Sequence, residues 1–312
     1  MNNDLTRRLT HGAMMIALFT ILLAISIYVP LLNLITALFV PLPLVWYSAK
    51  YNRSSSISVA AVSIVVSFLI GGLAALPFAL IQAPAGLVMG EAIRTKKSKL
   101  YMLMSTGLTL LITTVLQYLA LVKLFDVNIV AEVMSSVRSS IQSSLDMMDR
   151  FGQLDRQTEQ AAMDMMALFE ASVPAMVILT AFFSAFLYIL LYTPILKRLG
   201  VKVPKFESFK EMKLPKSVLW YYLLVLLASF IDTEPGTFLF MVIINAHIIL
   251  RMLLFLQGIA FIHFVVHEQK WPKWVTIIST ILAFPLQTFV VMLGIFDLGF
   301  NIRNFVSNST RK

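Results

Sequence analysis

Apolar residues along this chain come in long blocks separated by short polar segments, and not in alternating stripes. Such blocks are typical of helices that cross a bilayer, because the ~30 Å hydrocarbon core takes about 20 apolar residues of helix. The pattern predicts an all-α, polytopic membrane protein with nine transmembrane helices, eight being the alternative. The predicted spans cover residues 12–30, 31–47, 57–75, 77–92, 100–122, 173–196, 217–231, 238–267 and 274–296.

One segment, residues 123–172, has a different pattern. Apolar residues recur in 127–148 at three- and four-residue spacing, which lines them along one face of a helix. Gly152 interrupts this helix, and a second one that is rich in methionine follows. We expect an acidic, amphipathic helical hairpin outside the membrane, between an N-terminal domain (1–122) and a C-terminal domain (173–312). Its apolar stripe lies either on the protein's own spans or the bilayer surface, or on a partner protein.

Composition supports the membrane class and restricts the chemistry. The chain is 59% hydrophobic and only 13% charged, whereas soluble domains are about half apolar and about a quarter charged. The absence of cysteine excludes disulfides and thiolate metal sites. The sequence also contains no nucleophile elbow, P-loop or zinc-protease motif. We therefore predict no enzymatic activity, no cofactor and no metal site.

The net charge of +9 is explained by membrane topology. With the N-terminus inside, the loops on the inner side carry 17 basic residues and those on the outer side carry 7. Cytoplasmic loops of membrane proteins have this excess of Lys and Arg. The count predicts a cytoplasmic N-terminus and an extracytoplasmic C-terminus, and no nucleic-acid partner.

Polar residues inside or beside the last two spans are the candidate ligand-binding residues, because charges in the bilayer are costly and usually functional. They are Asn245, His247, Arg251, Asp297 and Arg303. On the predicted topology they converge near the outer face. One interpretation is a structural ion pair between Arg251 and Asp297 or Asp232. The other is an outward-facing pocket that coordinates a small molecule.

Small residues at four-residue spacing predict close helix packing. Gly86 and Gly90 form a G-x-x-x-G pair in the fourth span, and Ala13 and Ala17 are four apart in the first. The glycines predict a helix-packing contact. The alanines predict either an ordinary membrane anchor or a surface on which another subunit docks.

Three stretches, VPLPLVWYSAKYN, LQGIAFIHFVV and LGIFDLGFNIR, resemble the YybS-like family of bacterial multi-pass membrane proteins. The N-terminal region of that family is similar to the S components of energy-coupling-factor vitamin transporters. Those are helical bundles that capture a ligand on the outer side and dock on a transmembrane coupling subunit through an A-x-x-x-A motif. Ala13-Met-Met-Ile-Ala17 matches this motif. The predicted nine spans exceed the six of a typical S component, so no vitamin-site residue is transferred.

The resemblance implies a bacterial cell-membrane protein that binds or transports a small molecule, with a coupling subunit and its ATPases as partners. The alternative is a non-transporting scaffold that recruits envelope, division or sporulation proteins through the 123–172 hairpin.

Overall fold

The computed structural model describes residues 2–204, 208–300, 302–304 and 306. All regular structure in that part of the chain is helical, which confirms the all-α class. A short 3₁₀ turn, Phe209–Glu211, precedes α8. The α-helices are α1 (Asn2–Tyr28), α2 (Asn33–Ala37), α3 (Leu42–Lys50), α4 (Arg53–Arg94), α5 (Lys99–Leu124), α6 (Ile129–Arg150), α7 (Arg156–Arg198), α8 (Ser217–Ala228), α9 (Phe238–Glu268), α10 (Lys273–Ala283) and α11 (Gln287–Phe300).

The helices form two compact units. The N-terminal unit contains the described residues of 1–132 and 177–206, and the C-terminal unit contains those of 133–176 and 207–312. Helix α7 contributes residues to both units. The predicted domain boundary at residue 173 falls inside α7, which remains helical through it.

Polar residues in the connecting segments determine where several helices begin. Side-chain oxygens of Asn52, Ser98, Asp155 and Thr237 each accept a hydrogen bond from the backbone N–H three residues later. The first N–H groups of a helix have no intrahelical partner, and an N-cap side chain satisfies one of them. These residues start α4, α5, α7 and α9 between the apolar blocks.

Within the described residues, five helices are long and apolar enough to cross a membrane, and a sixth span is added if α10 and α11 count as one bent helix. The membrane class is therefore confirmed, whereas the predicted count of nine is not. Residues 31–47 form only the short helices α2 and α3. Helix α8, within predicted span 217–231, is about 18 Å long, too short to cross a ~30 Å core.

Helix α4 contains a sharp bend at Gly72. Its φ of 61° and ψ of −153° lie in a region that only glycine adopts readily. A Cβ on Gly71 would lie 2.5 Å from that of Ala75, although such atoms are about 5–6 Å apart in an uninterrupted helix. The arms on either side, residues 53–71 and 73–94, are about 28 and 33 Å long. Each arm is about as long as the ~30 Å hydrocarbon core is thick, and two spans were predicted for this region.

Both arms of α4 pack on the same part of α3. A Cβ on Gly12 would touch Val59 of the first arm and Tyr47 of α3. The hydroxyl of Ser48, next to Tyr47, donates to Leu87 O of the second arm at 2.8 Å. The arms therefore fold back on each other, and their outer ends, Arg53 and Arg94, come to one end of the N-terminal unit.

Helix α9 is the centre of the C-terminal unit, and its contacts give the directions of α10 and α11. In α10, Thr280 meets His263 at 2.7 Å, and Phe284, directly after this helix, packs edge-to-face against Phe255 with 5.6 Å between ring centroids. Helix α10 thus runs antiparallel to α9. In α11, Thr288 lies beside Arg251, and its last residues lie beside Gln257.

Helix α10 therefore runs along α9 as far as its middle, and α11 then returns toward the end of α9 at which α10 began. The bend between α10 and α11 is 112°. Pro285 lies in this bend and cannot donate a backbone hydrogen bond. A single crossing over 274–296 was predicted, but the contacts with α9 favour a re-entrant pair. Irregular backbone at membrane depth is tolerated where protein covers it or a polar cavity borders it.

The predicted hairpin consists of α6 and the first part of α7, joined by a turn at Gly152 with φ 65°. Much of its apolar stripe is covered: Met134 and Leu145 are buried, and Val137, Ile141 and Met148 are half-buried. The structure thus supports the interpretation in which the stripe lies against the protein itself.

Candidate functional site

The five candidate residues do not converge at one place. The structure separates them into three groups within the C-terminal unit: Asp297 with Arg303, Asn245 alone, and His247 with Arg251.

Asp297 and Arg303 form a buried ion pair. We call this pair, together with Gln257 and the backbone oxygens of Lys210 and Met212, the ion-pair cluster. Asp297 is fully buried, and Arg303 approaches its carboxylate at 2.9–3.1 Å through Nε and Nη2. Gln257 Nε2 donates to the same carboxylate at 2.6 Å. Arg303 also donates to the backbone oxygens of Lys210 and Met212 at 2.8 and 2.9 Å. Both charged groups thus have several hydrogen-bond partners inside the protein.

This cluster corrects two predictions. Arg251 pairs with neither Asp297 nor Asp232, because Arg303 occupies the Asp297 carboxylate and Asp232 is exposed. Arg303 also contacts the 208–214 segment, although the loop count had assigned that segment to the inside and the C-terminal tail to the outside. The re-entrant course of α10 and α11 explains the error, since the chain returns to the end from which it came.

Asn245 supplies hydrogen bonds to the backbone of α7 next to Pro174. In an uninterrupted helix, the N–H of Ala175 would bond to the carbonyl of Ala171. Here Ala175 N donates to Asn245 Oδ1 at 2.6 Å, and Asn245 Nδ2 donates to Ala171 O at 2.7 Å and to Met241 O at 2.6 Å. The amide is inserted into the helical hydrogen bond next to Pro174, whose ring distorts the preceding turn. All its bonding groups have structural partners.

Arg251 is different, because it has almost no partner. Its Nη2 reaches Thr288 Oγ1 at 3.5 Å, which is the outer limit of a hydrogen bond. Of the residues that the structure describes, no carboxylate lies within ion-pair distance of it. Arg251 is 13 residues from the start of α9 and 17 from its end, so it lies about 20 and 26 Å along the helix from them. It is therefore a charge near the middle of a membrane helix.

His247 lies one helical turn from Arg251 on the same face of α9. Its Nδ1 is buried and has no hydrogen-bond partner among the described residues. Tyr222 of α8 packs beside it, with 5.6 Å between the ring centroids. We call His247, Arg251, Tyr222 and Thr288 the midhelix site.

A comparison of free energies distinguishes the midhelix site from a structural contact. An arginine at the centre of a membrane helix costs about 3 kcal/mol on insertion scales. A good hydrogen bond to a charged group contributes about 1.5–3 kcal/mol, and one at 3.5 Å contributes less. Thr288 alone therefore does not offset the cost of placing Arg251 there.

The small residues singled out in the sequence have distinct surroundings. A Cβ on Gly86 would lie 2.9 Å from Pro41 O, and one on Gly90 would lie 2.5 Å from Val45 O, so both glycines face the α3 segment closely. Ala13 and Ala17 are exposed on α1. They are available to lipid or to another subunit.

Sequence reasoning missed the crossing of α9 and α11. A Cβ on Gly258 would overlap the carbonyl oxygen of Val290, and one on Gly294 would overlap that of Leu254. This crossing lies between the midhelix site and the ion-pair cluster, and it fixes the register of both. The sequence did contain an indication of this close helix crossing, since Gly258 and Gly294 lie in two of the three stretches that carry the family resemblance. Over the described residues, no group of three His, Cys, Asp or Glu side chains is placed to hold a metal.

Comparison with known proteins gives a family. Residues 17–298 match the family described as "Predicted membrane protein (DUF2232)". The chain is also 30% identical over 307 residues to the uncharacterized protein YybS of Bacillus subtilis (strain 168), covering 96% of this chain and 99% of that protein. No solved structure matches. The chain therefore belongs to this DUF2232 family of membrane proteins, as the resemblance to YybS-like proteins predicted.

Proposed function

We propose that this protein is the membrane-embedded binding component of a small-molecule transport system, with its ligand at the midhelix site. The observation that supports this function is Arg251, a charge in the middle of a membrane helix whose one hydrogen bond among the described residues is with Thr288 at 3.5 Å. Charges at this depth mark substrate or ion pathways by default. The re-entrant pair α10–α11 beside Arg251 adds support, because transporter sites are often formed by discontinuous helices near the midplane.

The charge distribution supports a cytoplasmic N-terminus. Tyr47 OH donates to Arg8 O at 3.4 Å, so the basic start of α1 lies near the end of α3, where Lys50 is found. Arg53 and Arg94 come to that same end through the fold of α4. Basic residues from three separate segments thus meet at one end of the N-terminal unit, as expected of a cytoplasmic side. Arg303 contacts the 208–214 segment, which the loop count assigns to the inner side, so its charge adds to the inner excess.

The proposed coupling partner is a transmembrane subunit with ATPases that docks on α1. The exposure of Ala13 and Ala17 is what such a docking surface requires. The similarity of the N-terminal helices to S components remains a prediction, and with it the nature of the partner.

The scaffold alternative has less support. Most of the hairpin stripe that would recruit a partner is already covered, which leaves scattered exposed residues such as Met147, Phe151 and Met165. Single exposed apolar residues are common on protein surfaces and do not define an interface.

Affinity purification from native membranes tests the proposed function. We expect an ATP-hydrolysing module to co-purify with the wild-type chain and with Met14→Leu, a change at an exposed neighbour on α1. We expect Ala13→Leu to lose the module at unchanged abundance, because the larger side chain keeps a partner helix away. Recovery of envelope-assembly proteins instead of an ATPase, by all three chains, would contradict the transport function.

A further inference from the structure

We propose that the ligand of the midhelix site is an anion, bound through a carboxylate or phosphate group by the guanidinium of Arg251. This inference rests on the proposed function, because it names the chemical class of the ligand at that same site.

The unused hydrogen-bonding capacity of Arg251 identifies the class. A guanidinium carries five N–H donors and no acceptor. Thr288 takes at most one of them, at 3.5 Å, and Arg251 has no ion-pair partner in the described part of the chain. A neutral ligand would satisfy donors but leave the charge uncompensated in the bilayer. A carboxylate or phosphate supplies both the negative charge and two oxygens in the spacing of the guanidinium fork.

His247 places a second hydrogen-bonding atom on the same face of α9. Its buried Nδ1 has no partner among the described residues, and it lies one turn from Arg251. His247 and Arg251 therefore both leave hydrogen-bonding capacity unused on one face of α9.

The position of the bend between α10 and α11 favours the same chemistry. Helix α11 begins at Gln287, next to the Thr288 that touches Arg251. The N-terminal end of a helix carries a partial positive charge, which adds to that of Arg251. The depth of the site favours a free organic anion as the source of the oxyanion, because phospholipid headgroups lie at the membrane surface.

Native mass spectrometry of the full chain, released from native membranes in detergent, tests the inference. We compare the wild-type chain with Arg251→Gln and with Arg94→Gln, a matched loss of one positive charge at an exposed ion pair with Glu91. We expect an acidic compound on the wild-type chain and on Arg94→Gln, with about 10- to 100-fold lower affinity for Arg251→Gln, the factor for losing a charged hydrogen bond. Arg251→Lys keeps the charge but not the fork, so its affinity should fall between the two. Arg251→Lys also tests the inference if Arg251→Gln does not fold.

The mass and charge of the adduct decide the outcome. A neutral or cationic compound, or an acidic one that Arg251→Gln and Arg251→Lys retain fully, would overturn the inference and leave the proposed function intact. A phospholipid lost from Arg251→Gln would support the oxyanion chemistry with a lipid as its source, and would overturn the transport function. A bare protein in every preparation would overturn both.

Discussion

The C-terminal unit contains two polar groups of the kind that a sequence marks as functional, and they have opposite properties. In the ion-pair cluster, Asp297, Arg303 and Gln257 bond to one another and to the 208–214 backbone. In the midhelix site, Arg251 and His247 leave most of their bonding capacity unused. A membrane charge with a complete set of partners stabilises the fold, whereas one without partners needs something else to bind. The number of partners therefore distinguishes a structural charged residue from a candidate binding residue, which residue type alone does not.

The largest effect is expected from breaking the ion-pair cluster. Asp297→Ala leaves Arg303 buried without a counter-charge, and loss of one partner of a buried pair typically costs about 3–5 kcal/mol. We expect the variant to lose most of its folded protein, measured as thermal unfolding in detergent and as the monodisperse fraction on size exclusion. The double variant Asp297→Asn with Arg303→Gln should recover part of the loss. If Asp297→Ala unfolds at the wild-type temperature, the cluster is not structural.

The crossing that connects the two groups comes next. Gly294→Ala places a Cβ against the carbonyl of Leu254, so α11 must shift, at about 1–3 kcal/mol for an overpacked contact. Gly299→Ala is the matched control, because its Cβ would lie 3.6 Å from the Leu219 side chain, an ordinary contact. We expect a lower unfolding temperature for Gly294→Ala alone. Equal stability of both variants would mean that the crossing is looser than described.

Substitution of Asn245 should have a smaller effect on stability. It also tests whether the Asn245 amide compensates for the hydrogen bonding that α7 loses beside Pro174. Asn245→Leu removes the amide, and net loss of hydrogen bonding should be about 1 kcal/mol, because Ala175 and Ala171 can partly bond to each other again. In a Pro174→Ala background the same change should cost less, since α7 then closes its own bond. Chemical denaturation of the four chains measures the coupling. An identical loss in both backgrounds would show that Asn245 does not act on the proline distortion.

The midhelix site should show the smallest loss of stability. Arg251→Gln removes a charge that the described protein does not compensate, so we expect the free energy of unfolding of the variant to be no lower than that of the wild type. Thermal unfolding of ligand-free protein checks this. A loss as large as that of Asp297→Ala would make Arg251 a structural residue and remove the contrast on which its role as a site depends.

Much of the fold could be predicted from local pattern. Long apolar blocks identify membrane helices, and polar residues such as Asn52, Ser98 and Thr237 mark their starts. The bend at Gly72 and the direction change at Pro285 could not be predicted in the same way. Hydropathy measures how favourably a segment leaves water, and it has the same value for a crossing helix and for one that turns back. The predicted count of nine spans was not confirmed, and such places account for the difference.

The candidate site was predicted in part, for a related reason. Residue type and depth selected five polar residues, because any of them needs a partner in lipid. Which partner each one has depends on residues far away in the chain: Arg303 meets Lys210 and Met212, and Asn245 meets Ala171. These pairings, and therefore the separation of Arg251 from Asp297, do not follow from spacing along one helix.

The amino-acid sequence by itself determined that this is a helical membrane protein, since it has too few charged residues for the surface of a soluble protein of this length and each apolar block can satisfy its own backbone only as a helix. It also determined where the charges are. Only the tertiary structure decided which charges are compensated, because compensation depends on distance between helices. The physical difference between Arg303 and Arg251 is one buried carboxylate, 2.9 Å from the first and out of reach of the second.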